Sequence, residues 1–197
     1  MSIAIAALAL ILLTLQAKPP DLRFEDYPAG DIFRGTPAAP KIVEPWVRMY
    51  RIRIREGISK GSGVHHYDEP QVRLDRIEAY PRGNQYNGPN FAGHYFVVTW
   101  GCGTGCLRMA VVDAITGKIY PPPLSVSKQD PLVIPMFGMG WALFDFRVES
   151  RLFAMSTCTE KSAWRYSCHI SYFTMETTGF ELVKRVELPE MSLAAEP

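Results

Sequence analysis

Short apolar runs separated by turn residues dominate the chain after residue 90, a pattern typical of antiparallel β-structure. In residues 93–100, apolar side chains occupy both sets of alternating positions, which predicts a strand covered on both faces. Further strands are predicted at residues 107–112, 119–120, 141–148, 151–157, 168–175 and 180–186. Because the connections are rich in turn residues, the pattern predicts a mainly β fold, an antiparallel meander or sandwich.

Residues 45–60 carry two competing patterns. Residues 51–55 alternate arginine with isoleucine, as a strand would, whereas the apolar residues Val47, Tyr50, Ile54 and Ile58 recur at helical spacing. Pro45 suits a first helical turn, so we predict one helix near the N-terminus. Its arginines form either an anion-binding face or simply the solvated side of the helix: Arg48, Arg51, Arg53 and Arg55.

The N-terminus begins with an unbroken apolar run over residues 3–13, and the first charge is Lys18. This run is shorter than a comfortable membrane span, and Ala17 is a small residue suited to precede a cleavage point. We therefore predict a signal peptide over residues 1–17, with an uncleaved N-terminal anchor as the alternative. The remainder is predicted to form a single disulfide-stabilised β domain over residues 18–190 and a disordered tail over residues 191–197.

The four cysteines fall into an internal repeat of strand, Cys, loop, Cys, strand, Thr-Gly turn and strand. The first unit holds Cys102 and Cys106, the second holds Cys158 and Cys168, and the loops have three and nine residues. An even number of cysteines in an exported chain favours disulfides over a zinc site. Equivalent units favour the pairs Cys102–Cys106 and Cys158–Cys168, each at the mouth of a hairpin, and the crossed pairing remains open. The predicted fold is thus built on two repeated hairpin units.

Charge and composition restrict the partner class. The chain has 21 basic and 20 acidic residues and a formal net charge of +1, which gives no electrostatic reason to expect nucleic acid or an anionic membrane. We expect no cofactor, no resident metal and no membrane span after signal cleavage. The expected partner is another protein or a component of the cell envelope.

The glycine-rich run at residues 101–106 lacks the Gly-Lys-Ser/Thr ending of a phosphate loop. Its backbone N–H groups would suit a small anion nest, and the competing interpretation is that glycine lets a short disulfide-closed loop form. Together with the histidine and tyrosine that enter the preceding strand, this run supplies the candidate binding residues. They are His94, Tyr95, Gly101, Gly103, Thr104 and Gly105.

Two histidine arrangements offer catalytic or metal chemistry. His94 would serve as the base for a Cys106 thiolate if the two met across the hairpin, although a core-edge histidine is the more ordinary interpretation. The adjacent His65 and His66 precede two carboxylates, a set that suits zinc or copper. Neighbouring side chains on an extended strand point to opposite faces, so both histidines would reach one ion only on a loop.

The segments PNFAGHY at residues 89–95, WGCGTGC at residues 100–106 and the run at residues 113–120 resemble an uncharacterised family of small exported bacterial proteins. The likeness is looser over residues 45–57 and 150–158, and residues 62–85 look like an insertion. The resemblance implies a periplasmic or secreted setting. It brings no activity or catalytic residues.

These patterns lead to one main functional expectation, an exported non-enzymatic binding protein of the bacterial cell envelope, of inhibitor or immunity type. The alternative is a small periplasmic hydrolase or metal-dependent enzyme that uses His94 or the pair His65 and His66. A purely structural envelope component is the third interpretation.

Overall fold

The computed structural model describes residues 22–59, 88–103, 106–125, 127–134, 143–162 and 165–192. The predicted signal peptide, the His65–His66 pair and the loop residues Thr104 and Gly105 lie outside the described residues. Among the helices that are described, none is long and apolar enough to cross a membrane.

Two antiparallel sheets form the framework, which confirms the mainly β prediction. The strands of the first sheet are β1 (Tyr95–Gly103), β2 (Cys106–Asp113), β3 (Ile119–Tyr120) and β4 (Val133–Ile134). The strands of the second are β5 (Leu143–Phe146), β6 (Leu152–Ser162), β7 (Arg165–Glu176), β8 (Gly179–Glu187) and β9 (Met191–Ser192). Consecutive strands pair as β1-β2-β3 and β5-β6-β7-β8, while β4 pairs with β2 and β9 with β7. Each sheet is therefore a meander at its centre.

The two sheets pack through one cluster of buried aromatic and aliphatic side chains. Phe91 lies within it at 0% exposure, and its ring centroid is 5.6 Å from that of Phe153 and 6.2 Å from that of Tyr95. Tyr120 of the first sheet also donates its hydroxyl to the carbonyl of Thr177 in the second at 3.2 Å. Because side chains of both sheets share this cluster, the two meanders form a sandwich.

A second cluster lies on the other side of β1. Phe96, Val98 and Trp100 are buried there against the helices α1 (Pro45–Arg48) and α2 (Arg51–Ser59). This arrangement confirms that β1 is covered on both faces. The single helix predicted over residues 45–60 is wrong in its continuity, because the backbone N–H of Tyr50 bonds to the carbonyl of Val47 in a tighter turn that separates α1 from α2.

Apart from a short 3-10 helix at Phe24–Asp26, residues 22–44 run as extended chain across one end of the sandwich. Their backbone N–H groups donate to the carbonyls of both sheets' connections, from Ala29 to Glu149 at 2.8 Å and from Lys41 to Gly117 at 2.7 Å. Phe33 packs against the second cluster, so this segment also joins the helices to the sheets. The N-terminal segment is thus an integral layer of the fold.

The predicted disulfides Cys102–Cys106 and Cys158–Cys168 are present, with Cα–Cα distances of 5.1 and 4.0 Å. The predicted nine-residue loop of the second unit is wrong, because Cys158 and Cys168 face each other inside the β6–β7 ladder. These strands continue beyond the cysteines to Ser162 and from Arg165. The two hairpins therefore share their order of elements but place the disulfide differently.

Two short strands lie where the sequence predicted none. Strand β4 falls between the strands predicted at residues 119–120 and 141–148, and it pairs with Leu107 and Arg108. Strand β9 includes residues 191 and 192, which the sequence analysis assigned to the disordered tail, and it pairs with Arg165 and Tyr166 of β7. Each is two residues long, so neither carries a periodic signal of its own.

Candidate functional site

The chain enters β1 through a tight turn at residues 90–94. Ala92 and Gly93 have φ angles of 45° and 78°, in the left-handed region that favours glycine. Their N–H groups donate to the carbonyls of Arg147 and Val148 at 3.2 and 2.7 Å. The connection between β5 and β6 therefore holds this turn in place and offsets the strain at Ala92.

Asn90 and Phe91 also have roles within the fold. The Asn90 side chain accepts a hydrogen bond from the Val97 N–H at 2.8 Å and donates to the Val97 carbonyl at 3.3 Å. It thus supplies backbone-like partners to one point of β1. Since Phe91 lies in the cluster between the sheets, the NFAG part of the motif is explained by folding.

His94 lies beside the first Thr-Gly turn. Its Nε2 is 4.0 Å from Oδ1 of Asp113, and its side chain is 31% exposed while that of Asp113 is 8% exposed. Asp113 accepts hydrogen bonds from the N–H groups of Ile115 and Thr116 and from the Thr116 hydroxyl at 2.6 Å. The carboxylate is therefore engaged in shaping the turn, and His94 lies at the edge of that hydrogen-bond group.

Tyr95 follows His94 and points into the space between the sheets. Burial, together with the neighbouring Tyr120 and Asp113, raises the pKa of Tyr95 to about 12. Its hydroxyl consequently stays protonated at neutral pH. The His94 ring lies over it with a centroid distance of 4.2 Å, so the exposed edge of this pair belongs to His94.

The glycines of the first disulfide loop have an open environment. Gly101 and Gly103 are exposed, and a Cβ atom on either would meet no atom within 4 Å. Gly103 has a φ of 128°, which explains glycine at that position, whereas packing requires none at Gly101. Cys102 and Cys106 close the loop as a disulfide.

The structure does not bring the candidate binding residues together. His94 and Tyr95 lie at the start of β1, whereas Gly101 and Gly103 lie at its end. At about 3.3 Å per residue, Tyr95 and Gly103 are roughly 25 Å apart. The idea of one site that joins the strand entry to the glycine loop is therefore wrong.

The same separation excludes His94 as a base for Cys106. Tyr95 pairs with Asp113 and Gly103 with Cys106, so His94 and Cys106 lie at opposite ends of the hairpin. Cys106 is also oxidised. A nucleophilic thiol activated by His94 does not exist in this fold.

The other described histidine and the acidic residues give no cluster of metal ligands. His169 bonds through Nε2 to the Thr157 hydroxyl at 2.8 Å, and burial and nearby Arg185 lower its pKa against an opposing effect of Glu187. Over the described ranges, no three His, Cys, Asp or Glu side chains are arranged to hold a metal ion.

The structure reveals a polar cluster that the sequence analysis did not single out. Asp130 Oδ2 accepts hydrogen bonds from the Tyr50 hydroxyl at 2.8 Å and from Arg108 Nε at 2.7 Å. The Arg108 guanidinium also lies over the Tyr50 ring, 4.7 Å from its centroid, and that ring is 5.5 Å from the Trp100 ring. A lone arginine in the apolar run of β2 was the available signal.

Hydrogen bonds within this cluster shift the pKa values of Asp130 and Tyr50. Burial alone raises the pKa of Asp130, but hydrogen bonds from Arg108 and Tyr50 outweigh it and hold that pKa below its usual value. Burial and the bond to Asp130 raise the pKa of Tyr50. Since Asp130 stays ionised and Tyr50 stays protonated near neutral pH, the hydrogen bonds of the cluster fix the junction of α1 and α2 to the first sheet.

The helices bury one side and expose the other. Val47 and Ile54 are buried against β1, while Met49 is 76% exposed and Ile52 is 61% exposed. Met49 lies in the turn between α1 and α2, and within α2 Arg55 follows Ile52 by three positions, so these two are neighbours on the helix surface. We call the exposed group the arginine face, which consists of Arg48, Met49, Arg51, Ile52 and Arg55.

The arginine face concentrates positive charge. Four arginines and one glutamate give residues 45–59 a formal net charge of +3, against +1 for the whole chain. Arg53 lies 3.7 Å from Glu56 in an exposed ion pair. Within the described part of the chain, Arg48, Arg51 and Arg55 have no acidic partner in an ion pair.

Comparison with family models, with curated proteins and with solved structures gives no match for this chain.

Proposed function

We propose that this chain is an exported binding protein of the bacterial cell envelope that recognises another macromolecule, with inhibitor or immunity-type proteins as the nearest functional class. The observation that carries the proposal is the arginine face. It combines exposed arginines with the exposed Met49 and Ile52, and arginine and methionine are enriched in protein interfaces.

The way the arginine face is held supports the same proposal. Val47 and Ile54 fix the helices on β1, and the hydrogen bond from Tyr50 to Asp130 fixes the junction between the helices. A surface held by rigid packing loses little conformational freedom when it binds. The face is therefore preorganised for recognition.

The disulfides support an exported setting. Both described cysteine pairs are oxidised, which is compatible with an oxidising compartment such as the periplasm or the extracellular space. The apolar run at residues 3–13 is the expected export signal.

The experiment is expression of the full chain in a bacterium, followed by cell fractionation and affinity capture. We expect the protein in the periplasm or medium with no free thiol, and we expect it to retain a partner that, once purified, binds saturably at physiological salt. A reduced protein confined to the cytosol contradicts the export part, and the lack of any saturable partner contradicts the binding part.

A hydrolase or metal-dependent enzyme built on His94 is the second candidate, because its 4.0 Å approach to Asp113 is the spacing of a loose histidine–carboxylate pair. Against it, turn donors already occupy that carboxylate. Metal analysis of the purified protein and assays of His94→Ala with generic ester and phosphoester substrates separate the two candidates. Turnover or stoichiometric metal that disappears in this variant supports the enzyme.

A further inference from the structure

We propose that the arginine face binds an acidic surface of a partner protein that carries an exposed apolar side chain among its carboxylates. This inference rests on the proposed binding function and adds the partner's chemistry. It also assigns the contact residues, with Arg51 and Arg55 pairing with carboxylates and Met49 and Ile52 packing against the apolar group.

The choice of side chains on this face favours carboxylates. Every basic residue in residues 45–59 is arginine and none is lysine. A guanidinium presents a planar set of donors that matches a carboxylate in two parallel hydrogen bonds, whereas an ammonium acts as a point charge.

Two large apolar side chains among the arginines distinguish a protein partner from a simple polyanion. Met49 lies in the turn between α1 and α2 and Ile52 in the first turn of α2, so the two exposed side chains are close along the chain, and Arg55 is a helical neighbour of Ile52. Polyanions such as nucleic acid are bound mainly through their phosphates, and the formal net charge of +1 gives no electrostatic reason to expect one. An acidic protein surface offers carboxylates and an apolar contact together.

An anionic membrane is the other candidate occupant, and the geometry disfavours it. A helix that lies in a membrane buries a continuous apolar face. Here the inward apolar residues, Val47 and Ile54, are already packed against β1, and only Met49 and Ile52 remain outside. Two isolated apolar side chains bury too little area for stable membrane insertion.

The arginine face is only part of a full protein interface. The four residues of α1 and the nine of α2, at about 1.5 Å per residue and a helix width of about 12 Å, present roughly 230 Å². A standard protein interface buries about 800 Å² on each partner. The arginine face therefore supplies less than a third of such an interface, and the neighbouring surface must supply the remainder.

The experiment measures binding of the full, oxidised chain to three defined probes: a random copolymer of glutamate and tyrosine, poly-glutamate, and vesicles of phosphatidylglycerol with phosphatidylethanolamine. We expect the copolymer to bind most tightly and to weaken as salt rises from about 0.05 to about 0.3 M. Arg51→Glu/Arg55→Glu is expected to weaken copolymer binding about tenfold or more, which corresponds to about 1.4 kcal/mol. Met49→Ser/Ile52→Ser is expected to reduce the preference for the copolymer over poly-glutamate.

The matched control is Arg165→Glu/Leu182→Ser, which makes the same kinds of change at exposed positions in the second sheet. We expect its binding to stay within about twofold of the parent. All altered side chains lie on the solvent side, so we expect every variant to fold. Thermal unfolding of every variant checks this. Equal binding by the parent and Arg51→Glu/Arg55→Glu overturns the inference, and so does preferential binding to the vesicles.

The capture experiment separates a wrong assignment of the binding surface from a wrong binding function. If the parent chain retains a saturable partner and Arg51→Glu/Arg55→Glu retains it equally well, the binding function stands and the assigned surface is wrong. If the parent retains no such partner, the binding function itself is wrong.

Discussion

Replacing Gly57 with alanine tests how α2 is positioned on the first sheet. A Cβ atom on Gly57 would overlap Cγ1 of Val98 and lie 3.2 Å from its Cβ and Cγ2. Val98 is 1% exposed, so it has no free space to move into. Overpacking of this kind costs about 1–3 kcal/mol, whereas alanine in place of helical glycine gains about 0.5–1 kcal/mol. The overlap wins, and we expect Gly57→Ala to lower the free energy of unfolding by about 1–2 kcal/mol.

A double-mutant cycle isolates the contact. In a Val98→Ala background the overlapping methyl groups are gone and only the 3.2 Å contact with the remaining Cβ is left, so Gly57→Ala should cost about 1 kcal/mol less than in the parent. The assay is urea unfolding of the oxidised protein followed by fluorescence. Gly101→Ala is the control, since a Cβ there meets no atom within 4 Å. If Gly57→Ala has the same effect in both backgrounds, the proposed contact between α2 and β1 is wrong.

Three further changes test the rest of the framework, the first two by urea unfolding and the third by thermal unfolding. Asn90→Ala leaves the buried backbone groups of Val97 without their side-chain partner and should cost about 1–3 kcal/mol. Gly117→Ala combines a φ of 72° with overlap of the N-terminal segment and should cost about 2–3 kcal/mol, while an unchanged stability would refute that docking. Because the pKa of folded His169 lies below its ordinary 6.5, its contribution to stability is complete above about pH 6.5 and is lost as the pH falls. His169→Gln should therefore lose less melting temperature than the parent between about pH 7.5 and pH 5.5.

The local parts of the fold were predictable from sequence. Apolar runs placed β1 and β2, and the equivalent positions of the cysteines in the two units favoured the two disulfide pairs that are present. The nine-residue loop between Cys158 and Cys168 was wrong because polar residues such as Thr159 and Lys161 are accommodated in exposed positions of a ladder that extends past the core. Exposed strand positions accept polar residues, so the apolar periodicity that predicts a strand is missing there.

The candidate site was less predictable because its contacts are non-local. Tyr50, Arg108 and Asp130 meet across separations of 80 and 22 residues, and no spacing along the chain encodes such a meeting. The helical periodicity of residues 45–60 did identify the arginine side. What it left undetermined is the exposure of Met49 and Ile52, which depends on how the helices pack against β1.

The distinctive NFAGHY motif and the proposed binding surface are therefore different parts of the molecule, and a physical reason separates them. Asn90 and Gly93 bear close backbone contacts that few other residues can make, so structure alone accounts for an unusual local sequence there. The arginine face, by contrast, lies on the solvent side of helices whose opposite side supports β1. Substitutions on the solvent side cost the fold little, so this surface is free to match a partner without disturbing the framework that the motif holds together.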